Sequence, residues 1–260
     1  MYLTIKIYNM KKISFFMVLM LVSLVALTSC RPSILFSHRG GKYLEPSNKI
    51  VTKNYSDMNF KSIDFNTIGE VEFIQTKGGN CSVSVTAPDN YVPVILLKTE
   101  NGTLSISSDD KYDMQDNQVK IRICAPTLNS IDNSGVGTIK IGNLNVPKID
   151  IDNSGVGKLK IDNIESEYIK IDNSGVGSVE IKGKASNVVL DCSGVGSINA
   201  LDLHAVTVKA DVSGVGGIKC YASEEITGGV SGVGSLKYAG KPSKKNLESD
   251  GAVGKTEEIK

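Results

Sequence analysis

An all-β solenoid, a right-handed parallel β-helix with about 20 residues per coil, is the fold this sequence predicts, and three observations carry it. The string SGVG begins at Ser134, Ser154, Ser174, Ser193, Ser213 and Ser231, at spacings of 20, 20, 19, 20 and 18 residues. On both sides of each copy apolar residues alternate with polar ones, which is the period of a strand and not of a helix. Glycine accounts for 26 of the 260 residues, and 12 of those 26 lie in the six intact copies, so the excess is punctuation at a fixed interval rather than linker. A repeat this short buries its apolar face only by covering its neighbours, so the coils must stack. At a strand spacing of about 4.8 Å, six coils make a rod of roughly 29 Å.

The chain begins with an address. Lys11 and Lys12 precede an uncharged run from Ile13 to Leu27, the arrangement of an export signal and too short for a comfortable membrane span of about 20 residues. Leu27-Thr28-Ser29-Cys30 resembles the lipobox of bacterial lipoprotein signals. In that reading residues 1–29 are removed, Cys30 is acylated, and two kinds of acyl linkage give stable membrane attachment. Residues 30–48, with Pro32, Gly40, Gly41 and Pro46 and no periodicity, then read as a lipidated tether.

The mature chain is nearly neutral. Of 29 basic residues, Lys6, Lys11 and Lys12 fall in the leader, leaving 26 against 28 acidic ones; no concentrated basic face favours nucleic acid. The only two histidines, His38 and His204, offer little to a metal site or a His-based dyad. Cys81, Cys124, Cys192 and Cys220 show no CxxC spacing and read as core residues.

Residues 49–128 hold further strand-like runs at Val71–Ile74, Ser82–Val85, Leu104–Ile106 and Val119–Ile123, separated by turn signals such as Gly78-Gly79-Asn80 and Asn101-Gly102. This half is expected to cap or continue the coils, because an open end is an unpaired edge. In residues 129–260 the alternation sorts each position. Asn133, Asn153 and Asn173 share a register with Cys192, Val212 and Val230 and should stack inward as an amide ladder. Cys220 falls in line with Ile141, Ile161 and Ile181, a packed thiol. Asp132, Asp152, Asp172, Asp191 and Asp211 form an outward column, a candidate ligand face for a cation, a glycan or a polyanion; the competing reading is a solvated face that keeps the sheet soluble. The glycine pairs Gly135 and Gly137, Gly155 and Gly157, Gly175 and Gly177, Gly194 and Gly196, Gly214 and Gly216, and Gly232 and Gly234 should form the corner, where close backbone approach excludes a Cβ.

Phe60-Lys61-Ser62-Ile63, Gly69-Glu70-Val71, Glu100-Asn101-Gly102-Thr103-Leu104 and Ala125-Pro126-Thr127-Leu128, followed by the SGVG series, resemble the auto-transporter adhesin head GIN domain family, over about four fifths of the chain. The resemblance implies an all-β, helix-like domain at residues 49–260 in exported or lipid-anchored proteins of Gram-negative bacteria. It supplies no catalytic residues to carry over. The last copy, Gly251-Ala252-Val253-Gly254, departs from the pattern.

Enzyme and ligand signatures come close and fail. Gly254-Lys255-Thr256 ends like a P-loop, but Ser249 stands where its first glycine belongs. Asp150, Asp152, Ser154 and Gly155 begin like an EF-hand loop, but Ile161 replaces the bidentate glutamate. No cofactor or metal is expected. The leading expectation is a lipid-anchored, non-enzymatic envelope module, adhesin-like, with an envelope protein or glycan as partner. A polysaccharide-cleaving β-helix enzyme and a purely structural lipoprotein are the alternatives. No Asp or Glu follows Cys30 before Glu45, so the near tether favours anionic head groups; the expected place is the outer membrane, on its periplasmic leaflet rather than the cell surface.

Overall fold

The computed structural model describes residues 41–114, 118–249 and 254–259. The leader, Cys30, the tether to Gly40 and Gly251-Ala252-Val253 lie outside the described residues. From Lys42 onward the chain is one compact unit, and its described residues form strands and no helix.

The repeats build a parallel β-solenoid. Ser130–Asn133, Lys148–Asn153, Val156–Asn173, Val176–Cys192, Val195–Val212, Val215–Val230 and Val233–Ala239 pair parallel, each segment with its equivalent one coil away. The coil containing Ile149 shows how the alternation is used. Ile149, Ile151, Asn153, Gly155, Leu159 and Ile161 are buried, while Asp152, Ser154, Val156 and Lys158 face water. Parity therefore holds straight through the glycine corner. Inward residues stack in columns: Ile131, Ile151, Ile171, Leu190 and Ala210 form one, and Ile139, Leu159, Val179, Ile198, Ile218 and Leu236 another. All are at most 2% exposed. Burying each aliphatic side chain contributes about 1.5–3 kcal/mol, and each is covered from both sides only because both neighbouring coils are present.

The amide ladder forms as expected. Asn133 Nδ2 donates to Asn153 Oδ1 and Asn153 Nδ2 to Asn173 Oδ1, each at 2.6 Å, in the buried interior. Cys192 takes the next place; burial, the largest influence, pushes its thiol up, and the Asn173 amide pulls the other way. Cys220 is buried in its column between Ala200 and Tyr238, and burial pushes its thiol up to about 12. A thiol held protonated is a packing group.

The N-terminal half both continues and caps the stack. Ser62–Asn66 and Ile68–Gln75 make a coil in register with the first SGVG copy, with Ile63 against Ile131 and Gly69 against Gly137. Thr103–Ser108 and Lys120–Ala125 extend it, still parallel. The direction then reverses: Cys81–Pro88 lies antiparallel to Lys120–Ala125, Ile50–Met58 antiparallel to Cys81–Pro88, and Ile95–Glu100 antiparallel to Thr103–Ser108. These hairpins end the parallel ladder over a core that includes Phe60, Phe65, Phe73 and Tyr91. At the opposite end Lys244–Ser249 and Lys255–Glu258 close the stack. Their exposed Lys and Glu side chains blunt that edge.

One boundary moves. Residues 42–48 belong to the fold, not to a tether reaching 48: Lys42–Tyr43 pairs with Tyr112–Asp113, Tyr91 Oη donates to the Leu44 carbonyl at 3.0 Å, and Asn90 Nδ2 to the Glu45 carbonyl at 2.7 Å. Composition gave no sign of this, because the anchoring comes from a distant turn.

The register makes a direct contrast between neighbours. Ile171→Asp should cost at least about 4 kcal/mol, since it buries an unpaired carboxylate, whereas Asp172→Ala should stay within about 0.5 kcal/mol. Urea unfolding of both variants measures the difference, and equal losses would contradict the assignment of faces.

Candidate functional site

The outward column expected at Asp132 is present and longer than the repeats suggested. Asp132, Asp152, Asp172, Asp191 and Asp211 stand in register on successive coils. Asp64 precedes them, opposite Asp132. Gly229 follows Asp211, and Glu248 follows Gly229. Six consecutive carboxylates thus lie in one row at the strand spacing of about 4.8 Å. Asp64 escaped the repeat pattern because its coil carries Asn66-Thr67-Ile68-Gly69 where the others carry SGVG. Its signal was Gly69, which takes the same corner place as Gly137.

Parallel pairing creates this row, because identical positions of consecutive repeats become direct neighbours, and like charges facing each other across strands are destabilising. A neighbouring face of the same coils resolves the problem with opposite charges. There Arg122 meets Glu72 at 2.9 Å, Lys140 pairs with Glu70, Lys158 reaches Glu180 at 2.7 Å and Lys182 reaches Asp202 at 3.0 Å. Along the aspartate row compensation is sparse. Ser105 donates to Asp64 at 3.1 Å, and Lys209 lies 3.5 Å from Asp211. Lys148 approaches Asp150, one column away, at 3.0 Å and covers the Tyr168 ring. Ser130, Asp132, Asp152, Tyr168, Lys170 and Asp172 line a shallow open groove along the row. A second recess opens where Gly229 interrupts it, between Asp211 and Glu248.

The titration follows from this geometry. Asp132, Asp152 and Asp191 are raised above the ordinary value of 3.8, first by partial burial and then by adjacent carboxylates: Asp152 and Asp64 act on Asp132, Asp172 on Asp152, and Asp172 and Asp211 on Asp191. Lys170 opposes the shift at Asp152, and Lys209 and Lys170 oppose it at Asp191. On the compensated face the direction reverses: hydrogen bonds from Lys140 and Lys158 hold Glu70 and Glu180 below the ordinary value. Among the described residues no three His, Cys, Asp or Glu side chains converge as a metal cage. The row is a linear charged surface, not a chelate. His204 stands apart from it, packed edge-on against Tyr221 with ring centroids 4.6 Å apart.

A family model described as "Putative auto-transporter adhesin, head GIN domain" matches residues 59–242. The chain belongs to this family. Among solved structures, the GIN domain here is similar to a "putative adhesin" from Bacteroides fragilis, at 36% identity and TM-score 0.80, covering 84% of this chain and all of that one. A "putative lipid binding protein" from Parabacteroides distasonis (21% identity, TM-score 0.67) and a "putative adhesin" from Parabacteroides merdae (14%, 0.63) share the fold over 84% and 85% of this chain and the whole of theirs. No curated protein matches. The family and the Bacteroides neighbour describe an adhesin-like module and not an enzyme.

The raised aspartates give a pH test with a defined sign. A carboxyl whose folded pKa is raised binds its proton more tightly when folded, so its contribution is present below the ordinary 3.8 and is lost as pH rises through the raised value. At neutral pH the ionised row therefore costs stability. Asp152→Asn should raise the melting temperature by about 1–3 °C at neutral pH and low ionic strength. The gain should shrink with added salt and vanish below 3.8. A lower melting temperature at neutral pH would show that the row is held by compensating contacts.

Proposed function

We propose that this protein is a lipid-anchored, non-enzymatic binding module of the outer membrane, whose aspartate row, from Asp64 through Asp132, Asp152, Asp172 and Asp191 to Asp211, takes a basic segment of an envelope protein. The observation that carries the reading is the retention of like charges in register along six coils when the neighbouring face mixes both signs and joins several of them in ion pairs. A surface that only needed solubility would be served better by alternating signs; a row kept at a stability cost fits a partner that neutralises it. The row is long, shallow and aromatic-poor, apart from Tyr168, which suits an extended cationic chain better than a sugar ring.

Titration with an oligolysine peptide tests the ligand face. Asp132→Asn, Asp152→Asn and Asp172→Asn together should weaken binding at least about tenfold, with a comparable loss at high salt; unchanged affinity would remove the row from the function. Incubation with a polysaccharide panel tests the enzyme alternative, since turnover abolished at a single acidic residue would replace a binding role by a catalytic one.

The anchor rests on Leu27-Thr28-Ser29-Cys30. Cys30→Ala should abolish acyl labelling and release the protein from membranes, because the acyl chains supply the attachment. Continued membrane fractionation without label would mean that the apolar run Ile13–Leu27 stays as the anchor. The basic, acid-free stretch after Cys30 favours the periplasmic leaflet, and protease shaving of intact cells would place the domain outside instead if it were lost without lysis.

A further inference from the structure

Two of the inward columns end in charge. The column of Ile149, Ile169, Val188, Val208 and Ile226 receives Lys245 in the last coil, and the column of Ala200, Cys220 and Tyr238 receives Glu258. Residues directly opposite each other on neighbouring strands point to the same face, so both charges stand over the core. They meet there. Lys245 Nζ lies 2.6 Å from a Glu258 carboxylate oxygen and 5.6 Å from the centre of the Tyr238 ring, and Tyr238 Oη donates to the same carboxylate at 3.4 Å. The pair thus bridges the interior from one strand of the coil to the next. Lys237 and Glu257, 3.1 Å apart on the neighbouring parity of the same strands, face outward instead.

The backbone at this end is open. Among the described residues no strand pairs with the far side of Lys244–Ser249 or of Lys255–Glu258, so both strands present unpaired amides and carbonyls to any strand that arrives. At the other end of the rod the direction reverses into hairpins, and the parallel ladder stops there without inward charge. We propose that the Lys245–Glu258 pair is the contact that prevents the solenoid from joining end to end with a second copy of this chain. Two such ends are the same surface, so their contact would be isologous and would close as a dimer. Whatever register the two edges took, Lys245 and Glu258 of both copies would lie between the two cores. Their side chains keep 39% and 38% of their exposure in the single chain; covering them would remove that water, and the desolvation of two ions is recovered only with further hydrogen-bond partners. Inward-pointing charge is one of the ways in which a sheet edge is kept from adding a strand. The consequence is a rod of fixed length, with the aspartate row confined to one copy.

The chain from Lys42 is the unit to test: it is one compact unit, and a solved chain matched along its whole length by 84% of this one folds without the preceding residues. Lys245→Met with Glu258→Met keeps the length of both side chains and removes their charge. Sedimentation should find this variant dimeric at about 0.1 mM, associating at least about tenfold more tightly than the wild type, and the amides of Lys244–Ser249 should gain protection from hydrogen exchange as it associates. Lys237→Met with Glu257→Met, the outward pair on the same strands, should leave the chain as the wild type is. A methionine variant of the inward pair still monomeric at about 1 mM, equal association from the outward pair, or a wild type that already dimerises with protection at Lys244–Ser249 would each overturn the proposal. If the methionine variant does not fold, Lys245→Leu with Glu258→Leu takes its place, since apolar replacement of an ion pair is often neutral or stabilising. Failure of both to fold would make the pair a fastening of the last coil and overturn the proposal equally.

Discussion

Backbone contact at the glycine corner governs this molecule. A Cβ built on Gly157 would overlap the carbonyl oxygen of Gly137, one on Gly177 that of Gly157, and so on through Gly196, Gly216 and Gly234, with Gly137 itself resting on Gly69. The other glycine of the motif repeats the arrangement, Gly155 against Gly135 and Gly175 against Gly155. Each glycine is therefore required by the one a coil earlier, and the constraint passes along the whole stack. With the corners in contact, carbonyls and amides of successive coils meet, as where Val156 N donates to Gly135 O at 2.9 Å and Val176 N to Gly155 O at 3.0 Å. The inward columns then have no choice of register. Asn133, Asn153 and Asn173 meet at hydrogen-bonding distance because their backbones are already fixed at the strand spacing, and a slip of one residue would turn every isoleucine to water.

The same stacking decides what the outside can be. A repeat position is not a point on the surface but a column running the length of the rod, so any chemistry placed in the repeat is multiplied by the number of coils. Opposite charges meeting along a column, as at Arg122, Glu72 and Lys140 or at Lys160 and Glu180, stabilise the stack. Like charges, as in the aspartate row, accumulate their repulsion, and exposed apolar residues, as at Val136, Val156, Val176, Val195, Val215 and Val233, accumulate an apolar edge. Each departure from a neutral, alternating surface is costly in isolation and becomes favourable when a partner covers it. Strand, column and surface are thus three consequences of one repeat length.

The coil stack was legible because its signals are local: SGVG fixes the period, and alternation fixes the faces. That was enough to place Asn133, Cys220 and the five aspartates, all of which stand where parity put them. Three features were not legible, each for a physical reason. The coil at Ser62–Phe73 lacks the Ser-Gly pair and is separated from the repeats by the capping strands, so only Gly69 betrays it. Residues 42–48 are held by Asn90 and Tyr91, contacts between segments more than 40 residues apart that leave no periodic trace. The exposed column of Val136, Val156, Val176, Val195, Val215 and Val233 was hidden by reading SGVG as a turn, which suspended the alternation at the place where it continues; counted from Asn153 inward and Ser154 outward, Val156 must face water.

The dependence of the fold on backbone contact at the corner is tested most directly by adding single methyl groups. Gly157 adopts φ +139° and sits against the preceding coil, whereas Gly142 has open space where a Cβ would go. Unfolding measurements on Gly157→Ala and Gly142→Ala therefore compare the same chemical change with and without the contact. Gly157→Ala should lose at least about 3 kcal/mol or fail to fold, while Gly142→Ala should be neutral or gain up to about 1 kcal/mol. Comparable stability for the two variants would contradict the corner as the element on which the stack depends.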